Sequence, residues 1–102
     1  MSQRAERVWY LYVVQCSDGT LYTGITVDVQ RRVDQHNKGR GAAYTRSRRP
    51  VTLLAAWAFR GQRAAIQAER AFKHLNRQHK LSIIESAQSF HGTEQVSIDK
   101  FH

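Results

Sequence analysis

The sequence is poor in cysteine and proline, with one of each among its 102 residues. Cys16 has no second cysteine with which to form an internal disulfide, and a lone thiol cannot build a zinc site of the thiolate kind. No apolar run reaches the roughly 18 residues of a transmembrane helix, and no cleavable secretory leader opens the chain. We therefore expect a soluble, cytoplasmic protein without a membrane partner.

Acidic residues are also scarce, and one long stretch has none. Sixteen Lys and Arg against eight Asp and Glu give a net charge of +8 and a pI near 10.4. Between Asp34 and Glu69 all seven charged residues are basic. They are Lys38, Arg40, Arg46, Arg48, Arg49, Arg60 and Arg63. A block of one sign indicates a polyanionic ligand, with nucleic acid as the first candidate. A basic surface that serves only solubility is the alternative.

The composition favours a single globular domain. Hydrophobic residues make up 41% of the chain, and it contains neither a low-complexity run nor an internal repeat. A chain of this length can bury one core but not two. We expect one domain over residues 1–102, with a core from about residue 7 to 88 and a C-terminal tail over 89–102 to which the sequence assigns no role.

The first half predicts a β-hairpin followed by a short helix. Two runs rich in β-branched and aromatic residues, Val8–Gln15 and Thr20–Thr26, flank a polar segment with an Asp-Gly turn. Gly24 lies inside the second run, where a glycine marks a bulge or the close approach of another backbone or a ligand. A helix should follow over residues 29–38, with Arg32 and His36 on one face because they are four residues apart.

Residues 39–50 contain two glycines, one proline and four arginines, which suits a mobile, exposed loop that contacts phosphates. The one aromatic residue of this loop is Tyr44. The sequence leaves two interpretations of it open: the ring stacks on a base, or it pins the loop to the core.

The second half predicts a strand and two helices. The continuous apolar run Val51–Phe59 suits a strand buried on both faces, although its periodicity leaves a helix open. Residues 62–79 are predicted to form the longest helix, and residues 81–88 a short final helix. The apolar stripe of the long helix consists of Ala65, Ala68, Phe72 and Leu75. Glu69 and Asn76 fall within the same stripe. The resulting order β-β-α-β-α-α predicts an α/β (α+β) fold, a three-stranded antiparallel sheet flanked by helices.

Glu69 is the most informative residue of this half. A carboxylate on a buried face costs several kcal/mol unless it is paired or binds a metal. The sequence leaves three partners open: a buried salt bridge to Arg32, a hydrogen-bonded network in the core, or a metal ion.

Two triplets and an arginine share a regular spacing. Tyr-Leu-Tyr at residues 10–12 is followed by Tyr-Thr-Gly at 22–24, and Arg32 lies ten residues after Tyr22. This order resembles the signature of the GIY-YIG nuclease superfamily. Over about residues 7–88 the chain is most similar to the small stand-alone bacterial members of that superfamily. Two positions of the first triplet and the middle position of the second differ from the Gly-Ile-Tyr and Tyr-Ile-Gly of the family.

The resemblance implies an endonuclease that hydrolyses phosphodiester bonds with one divalent cation, Mg²⁺ or Mn²⁺, bound by Glu69. It implies that Arg32 neutralises the scissile phosphate and that the hydroxyl of Tyr12 holds water or phosphate. Tyr22 resembles the general base of the family, although an unperturbed phenol has a pKa of about 10, and His36 is the alternative base. The catalytic candidates are therefore Tyr12, Tyr22, Arg32, His36 and Glu69.

The implied substrate is DNA, with RNA as an open alternative. The candidate nucleic-acid contacts are Gly24, Lys38, Arg40, Tyr44, Arg46, Arg48 and Arg49. Specificity in this family usually comes from additional domains, so a protein partner that supplies it is a further expectation. One hypothesis is a DNA endonuclease that acts on branched, nicked or damaged DNA in repair or recombination. The other is a nucleic-acid-binding module of the same fold that cleaves poorly and acts with a partner.

Overall fold

The computed structural model describes residues 7–101, so residues 1–6 and His102 of the predicted domain lie outside the described part. In chain order the elements are β1 (Val8–Gln15), β2 (Leu21–Thr26), α1 (Val29–Asn37), α2 (Ala43–Arg46), β3 (Thr52–Arg60), α3 (Gln62–His74), α4 (Arg77–Glu85), β4 (Gln95–Val96) and a 3-10 helix (Ile98–Phe101). The predicted α+β class is confirmed.

Strands β1 and β2 form the predicted hairpin, and hydrogen bonds close its turn. The Cys16 N–H donates to the Thr20 carbonyl at 2.8 Å, and the Gly19 N–H donates to the Cys16 carbonyl at 2.9 Å. Gly19 has φ +85°, a left-handed conformation that glycine adopts without strain. The Asp18 carboxylate accepts a hydrogen bond from the Thr20 hydroxyl at 2.6 Å. The turn therefore fixes the register in which Tyr12 lies opposite Gly24.

The sheet is antiparallel, with strand order β2-β1-β3-β4. The predicted three-stranded sheet is wrong in its strand count, because β4 pairs with β3 at Ala56 and Trp57. A strand of two residues shows no periodicity from which it could be predicted. Strand β2 lies at the edge of the sheet, so one side of the hairpin is open to a ligand.

A β-bulge in the pairing of β1 with β3 changes which residues of β3 face each side of the sheet. The register of β3 against β1 shifts between Val13 and Val14. As a result Leu53 packs in a cluster with Val29 of α1, whereas Ala55, two residues later, packs in the cluster formed with α3. Helices cover both faces, which is why this strand is continuously apolar.

The predicted long helix over residues 62–79 is wrong beyond His74. Helix α3 ends there, Leu75 has an extended backbone, and the Asn76 side chain caps α4 by accepting from the His79 N–H at 2.8 Å. An asparagine side chain that accepts from a free backbone N–H favours a helix start over a helix interior. Asn76 therefore does not belong to the buried stripe, and the final helix begins earlier than residue 81.

The C-terminal segment is part of the core. Phe90 packs on the face covered by α3, and Phe101 packs on the opposite face, where its ring meets Tyr10 at 5.4 Å between centroids. The indole N–H of Trp57 donates to the Gln88 carbonyl at 3.1 Å. The core thus extends past residue 88 to Phe101, because apolar side chains spaced along an otherwise polar segment reach both faces of the sheet.

Candidate active site

The centre of the site is the Tyr12 side chain on β1. Tyr12 is buried, with 1% of its surface exposed, and it lies directly across the ladder from Gly24 of β2. A Cβ atom at Gly24 would lie 2.7 Å from the Tyr12 hydroxyl oxygen. The close approach expected at Gly24 is therefore made by the Tyr12 phenol, and glycine leaves the space in which that ring lies.

A chain of hydrogen bonds connects Tyr12 to helix α2. The Tyr12 hydroxyl oxygen lies 2.8 Å from His36 Nε2, and His36 Nδ1 lies 2.7 Å from the Thr45 Oγ1 atom. Thr45 donates its only hydroxyl proton to the Ala42 carbonyl at 3.0 Å. Thr45 must therefore accept from His36 Nδ1–H, which leaves Nε2 to accept from the Tyr12 hydroxyl. His36 is thus held neutral, in one tautomer.

The pKa values agree with this assignment. Burial, together with the Arg32 guanidinium, lowers the pKa of His36 to about 4. Burial raises the pKa of Tyr12 to about 12, although the Arg32 guanidinium opposes the rise. At neutral pH both groups are uncharged, so Tyr12 keeps the proton that it donates to His36.

Two residues that the sequence analysis did not select hold His36 in place. A Cβ atom at Gly41 would overlap the His36 ring, so only glycine lets this backbone pass so close. Thr45 is fully buried and accepts from the ring. Nothing in the sequence separated Thr45 from its arginine and tyrosine neighbours, because its role depends on how residues 39–50 fold back onto α1.

The predicted loop over residues 39–50 is wrong in part, because it contains helix α2 and is tied to the rest of the molecule. The Asn37 side-chain amide makes two hydrogen bonds with the Val51 backbone, at 2.7 and 3.1 Å, which anchors the end of the loop against α1. Arg48 pairs with Asp18 at 3.1 Å and donates to the Tyr44 carbonyl at 2.7 Å. The loop is therefore held against the β1–β2 turn.

The predicted nucleic-acid contacts fall into two groups. Arg48 is half-buried in its ion pair. The other basic candidates of this segment are exposed: Lys38, Arg40, Arg46 and Arg49. Of these, Arg49 also donates to the Arg46 carbonyl at 2.9 Å. The exposed residues can meet a phosphate directly, whereas the charge of Arg48 is partly neutralised.

Tyr22 and Tyr44 extend the site towards solvent. The Tyr22 ring lies edge-on to His36 at 5.2 Å between centroids and stacks on Tyr44 at 6.1 Å. Tyr44 is 39% exposed, and the Arg48 guanidinium lies 3.9 Å from its ring centroid. Tyr44 therefore contacts the site and still presents aromatic surface to a ligand.

Glu69 pairs with a lysine on its own helix. Its carboxylate lies 3.5 Å from Lys73 Nζ, and 21% of the Glu69 side chain is exposed. The two ion pairs found within residues 7–101 are Asp18–Arg48 and Glu69–Lys73. Of the three partners that the sequence left open for Glu69, the salt bridge to Arg32 is not formed: Arg32 donates instead to the Gln35 side chain, at 3.1 Å.

The fold nevertheless brings the five catalytic candidates into one neighbourhood. Besides burial, the pKa of Tyr12 responds to the charges of Arg32, Tyr22 and Glu69, so all three lie within electrostatic range of its hydroxyl. His36 contacts Tyr12 directly. Arg32 and His36 come from α1, the tyrosines from the hairpin and Glu69 from α3.

The donor set near Tyr12 suits only a metal ion that needs few protein ligands. Within the described residues, no three His, Cys, Asp or Glu side chains lie close enough to hold an ion together. Both ring nitrogens of His36 are engaged in hydrogen bonds, which leaves the Glu69 carboxylate as the available ligand. Mg²⁺ fits such a site, because it keeps several waters and takes further oxygens from substrate phosphates.

A groove of about 240 Å³ opens beside the site at the β2 edge. Its lining residues are Leu21, Tyr22, Thr23, Tyr44, Lys73 and Lys80. Lys73 and Lys80 come from α3 and α4 and were not among the predicted contacts. They lie outside the basic block of residues 38–63, and only the packing of the helices places them next to the tyrosines.

None of the helices between residues 7 and 101 combines the length and the apolar character needed to span a membrane.

Known proteins resemble this chain in sequence and in structure. A family model described as the GIY-YIG catalytic domain matches residues 8–82. A UPF0213 protein of Streptococcus agalactiae serotype V is 55% identical over 76 residues, which cover 74% of this chain and 86% of that protein. A UPF0213 protein of Cupriavidus pinatubonensis is 48% identical over 77 residues, which cover 76% of this chain and 86% of that protein.

Two solution NMR structures resemble the fold. A UPF0213 protein from Bacillus halodurans has a TM-score of 0.52 and 43% identity, and the match covers 78% of this chain and 84% of that one. A protein from E. faecalis has a TM-score of 0.53 and 38% identity, with 83% and 88% covered.

Proposed function

Because this chain belongs to the GIY-YIG catalytic domain family, which implies a nuclease, we propose that it is a divalent-metal-dependent endonuclease that hydrolyses phosphodiester bonds in DNA. The observation that supports this proposal most is the buried chain Tyr12–His36–Thr45 beside Arg32 and Glu69. A fold gains little stability from burying such groups, whereas a catalytic site needs them held in one orientation.

In this proposal Tyr12 and His36 position other groups. Since the Tyr12 hydroxyl donates its proton to His36, its oxygen presents free lone pairs to the remaining neighbours. Those lone pairs can accept from the Arg32 guanidinium or from the attacking water. Arg32 is then directed at the scissile phosphate, where its planar fork neutralises the charge that develops in the transition state.

We assign the role of general base to Tyr22 rather than to His36. His36 has no exposed surface, both of its ring nitrogens are occupied, and its pKa lies near 4. Tyr22 is half-buried and lines the open groove, so its hydroxyl can reach a water molecule. A divalent cation at Glu69 would supply Lewis-acid stabilisation of the phosphate and would lower the pKa of nearby hydroxyl groups.

The finer assignments belong to the same proposal. We infer that DNA is the substrate because exposed basic residues, which can bind its phosphates, lie between α1 and the end of α2. They are Lys38, Arg40 and Arg46. We further propose that the protein acts on branched, nicked or damaged DNA in repair or recombination. We expect it to work in the cytoplasm, together with a protein partner that supplies specificity. RNA is the alternative substrate that the assays must include.

The proposal is tested by cleavage of labelled single-stranded, duplex, flap and four-way-junction DNA, and of matching RNA, with Mg²⁺, Mn²⁺ or EDTA. We expect Glu69→Gln to abolish cleavage while DNA binding persists, because the amide keeps the shape of the side chain but loses its charge. Glu85→Gln, on the exposed face of α4, is the matched control and should cleave like the native protein. DNA binding without cleavage by the native protein would instead support the binding-module hypothesis.

A further inference from the structure

We propose that the groove at the β2 edge binds one unpaired nucleotide of the DNA strand, next to the scissile phosphate. This inference rests on the proposed nuclease function and specifies its substrate class as DNA with an unpaired nucleotide adjoining the cleaved bond. Tyr22 and Tyr44 supply the surface for the base, and Lys73 and Lys80 supply the charge for its phosphate.

The aromatic surface of the groove is exposed, and its position is fixed. Among the described residues, the large hydrophobic residues with the most exposed surface are Val8 and Tyr44. Arg48 orients Tyr44 twice, by lying 3.9 Å from the ring centroid and by donating to the Tyr44 carbonyl at 2.7 Å. Because Asp18 in turn pairs with Arg48, the ring is held before a ligand arrives. A pre-ordered, exposed aromatic ring is the feature on which unpaired bases stack.

The basic residues of the groove connect it to the candidate metal ligand. Lys73 lies 3.5 Å from Glu69, and its side chain is 52% exposed. With a divalent cation on the Glu69 carboxylate, the Lys73 ammonium would lose that partner and could meet a phosphate oxygen. Lys80 of α4 adds a second positive charge to the same groove. The phosphate that these lysines bind is therefore a neighbour of the one that is cleaved.

The size and location of the groove select an unpaired nucleotide. Its volume of about 240 Å³ lies below the roughly 300–1,000 Å³ of sites that enclose drug-sized ligands, so it can take the base of one nucleotide but not a base pair. In a duplex both faces of each base are stacked on its neighbours and cannot contact Tyr44. Since β2 is an edge strand, the groove is open along the sheet edge and a single strand can enter it.

The first test measures binding of single-stranded and blunt duplex DNA of equal length, in EDTA so that no cleavage occurs. We expect Tyr44→Ala to weaken single-strand binding by about 5- to 150-fold, which corresponds to the loss of one stacked base, and to change duplex binding little. Tyr44→Phe is the matched control, because it keeps the ring and should bind like the native protein. Thermal melts of each variant report on folding separately.

The second test does not depend on the structure around Tyr44. Lys80→Gln should make the slope of log affinity against log salt for single-stranded DNA less negative by about 0.7, which corresponds to one phosphate contact. Arg77→Gln, an exposed residue of the same helix that does not line the groove, should leave the slope unchanged.

The outcomes separate the two proposals. Native DNA cleavage together with single-strand binding that neither Tyr44→Ala nor Lys80→Gln weakens would overturn the groove but leave the nuclease proposal standing. Equal loss of single-strand and duplex binding in Tyr44→Ala, with an unchanged salt slope in Lys80→Gln, would also overturn it. A native protein that binds no DNA in any form would overturn both.

Discussion

At the residue scale, the hydrogen bonds of His36 restrict what the site can do. A fully buried imidazole that accepts from the Tyr12 hydroxyl and donates to Thr45 cannot take up a proton unless the hydrogen bond with Tyr12 reverses its direction. Its lowered pKa reflects the same burial. His36 therefore acts by orienting Tyr12, and the tautomer that makes this possible is set by Thr45.

We predict that Thr45→Val destabilises the protein by about 1–3 kcal/mol, because it leaves the buried His36 Nδ1–H without an acceptor. We also expect cleavage to fall about 10- to 100-fold, the range seen when an outer partner of a site histidine is removed, with DNA affinity unchanged. Thr45→Ser keeps the hydroxyl oxygen, so this variant should keep the stability and the cleavage rate of the native protein. Urea melts and single-turnover cleavage measure the two effects, and Val and Ser variants with equal cleavage would contradict the prediction.

At the scale of elements, the segment between α1 and β3 has two functions. Helix α2 carries Thr45 into the core, while the arginines around it face outwards or bind the β1–β2 turn. From the sequence, all four arginines of this segment were predicted to contact phosphates in the same way. The structure distinguishes the paired Arg48 from the exposed Arg46, which forms neither of the ion pairs found in residues 7–101.

We therefore predict different salt dependences for two arginine variants. Arg46→Gln should make the slope of log affinity against log salt for duplex DNA less negative by about 0.9, the value for one phosphate contact. Arg48→Gln should change the slope less, because an arginine that is paired with Asp18 does not neutralise a phosphate. Binding titrations between low and moderate salt measure both slopes. A larger effect of Arg48→Gln would show that its ion pair opens when DNA binds.

At the scale of the whole molecule, one sheet separates two apolar clusters, and the C-terminal segment contributes to both. Phe90 packs against Trp57 and Phe72, with ring centroids 6.0 and 5.4 Å away, and Phe101 closes the other face against Tyr10. Four of the catalytic candidates come from β1, β2 and α1, and Glu69 comes from α3, whereas β4 lies at the opposite edge of the sheet from β2. The C-terminal segment therefore contributes to the site only indirectly, by packing Phe90 and Phe101 into the two apolar clusters of the core.

We predict that Phe90→Ala lowers the free energy of unfolding by about 3 kcal/mol. This value is the lower end of the range for truncating a packed phenylalanine, and we choose it because Phe90 is partly exposed. Glu94→Ala, at an exposed position of the same segment, should change it by less than about 0.5 kcal/mol. Chemical denaturation of both variants measures the difference. Equal stabilities would mean that the segment is not part of the core.

Much of the fold could be predicted from the sequence, because its signals are local. The strands of the hairpin, the start of α1 at Asp28 and the third strand follow from residue type and periodicity over a few positions. The same local reasoning failed at Asn76, where a capping side chain outweighs the apolar stripe, and at β4, which is too short to show a period. The site candidates on the hairpin and α1 were selected because the spacing of Tyr12, Tyr22 and Arg32 resembles the signature of the GIY-YIG family.

The sequence by itself determined the hairpin, α1 and the third strand, the spacing of Tyr12, Tyr22 and Arg32, and the excess of positive charge. Only the tertiary structure decided that Thr45 completes the hydrogen bonds of His36, that Glu69 pairs with Lys73 rather than Arg32, and that Lys80 lines the groove. The physical reason is that periodicity and capping act between neighbours in the chain. Hydrogen bonds and ion pairs at the site depend instead on which surfaces the packed sheet and helices bring together.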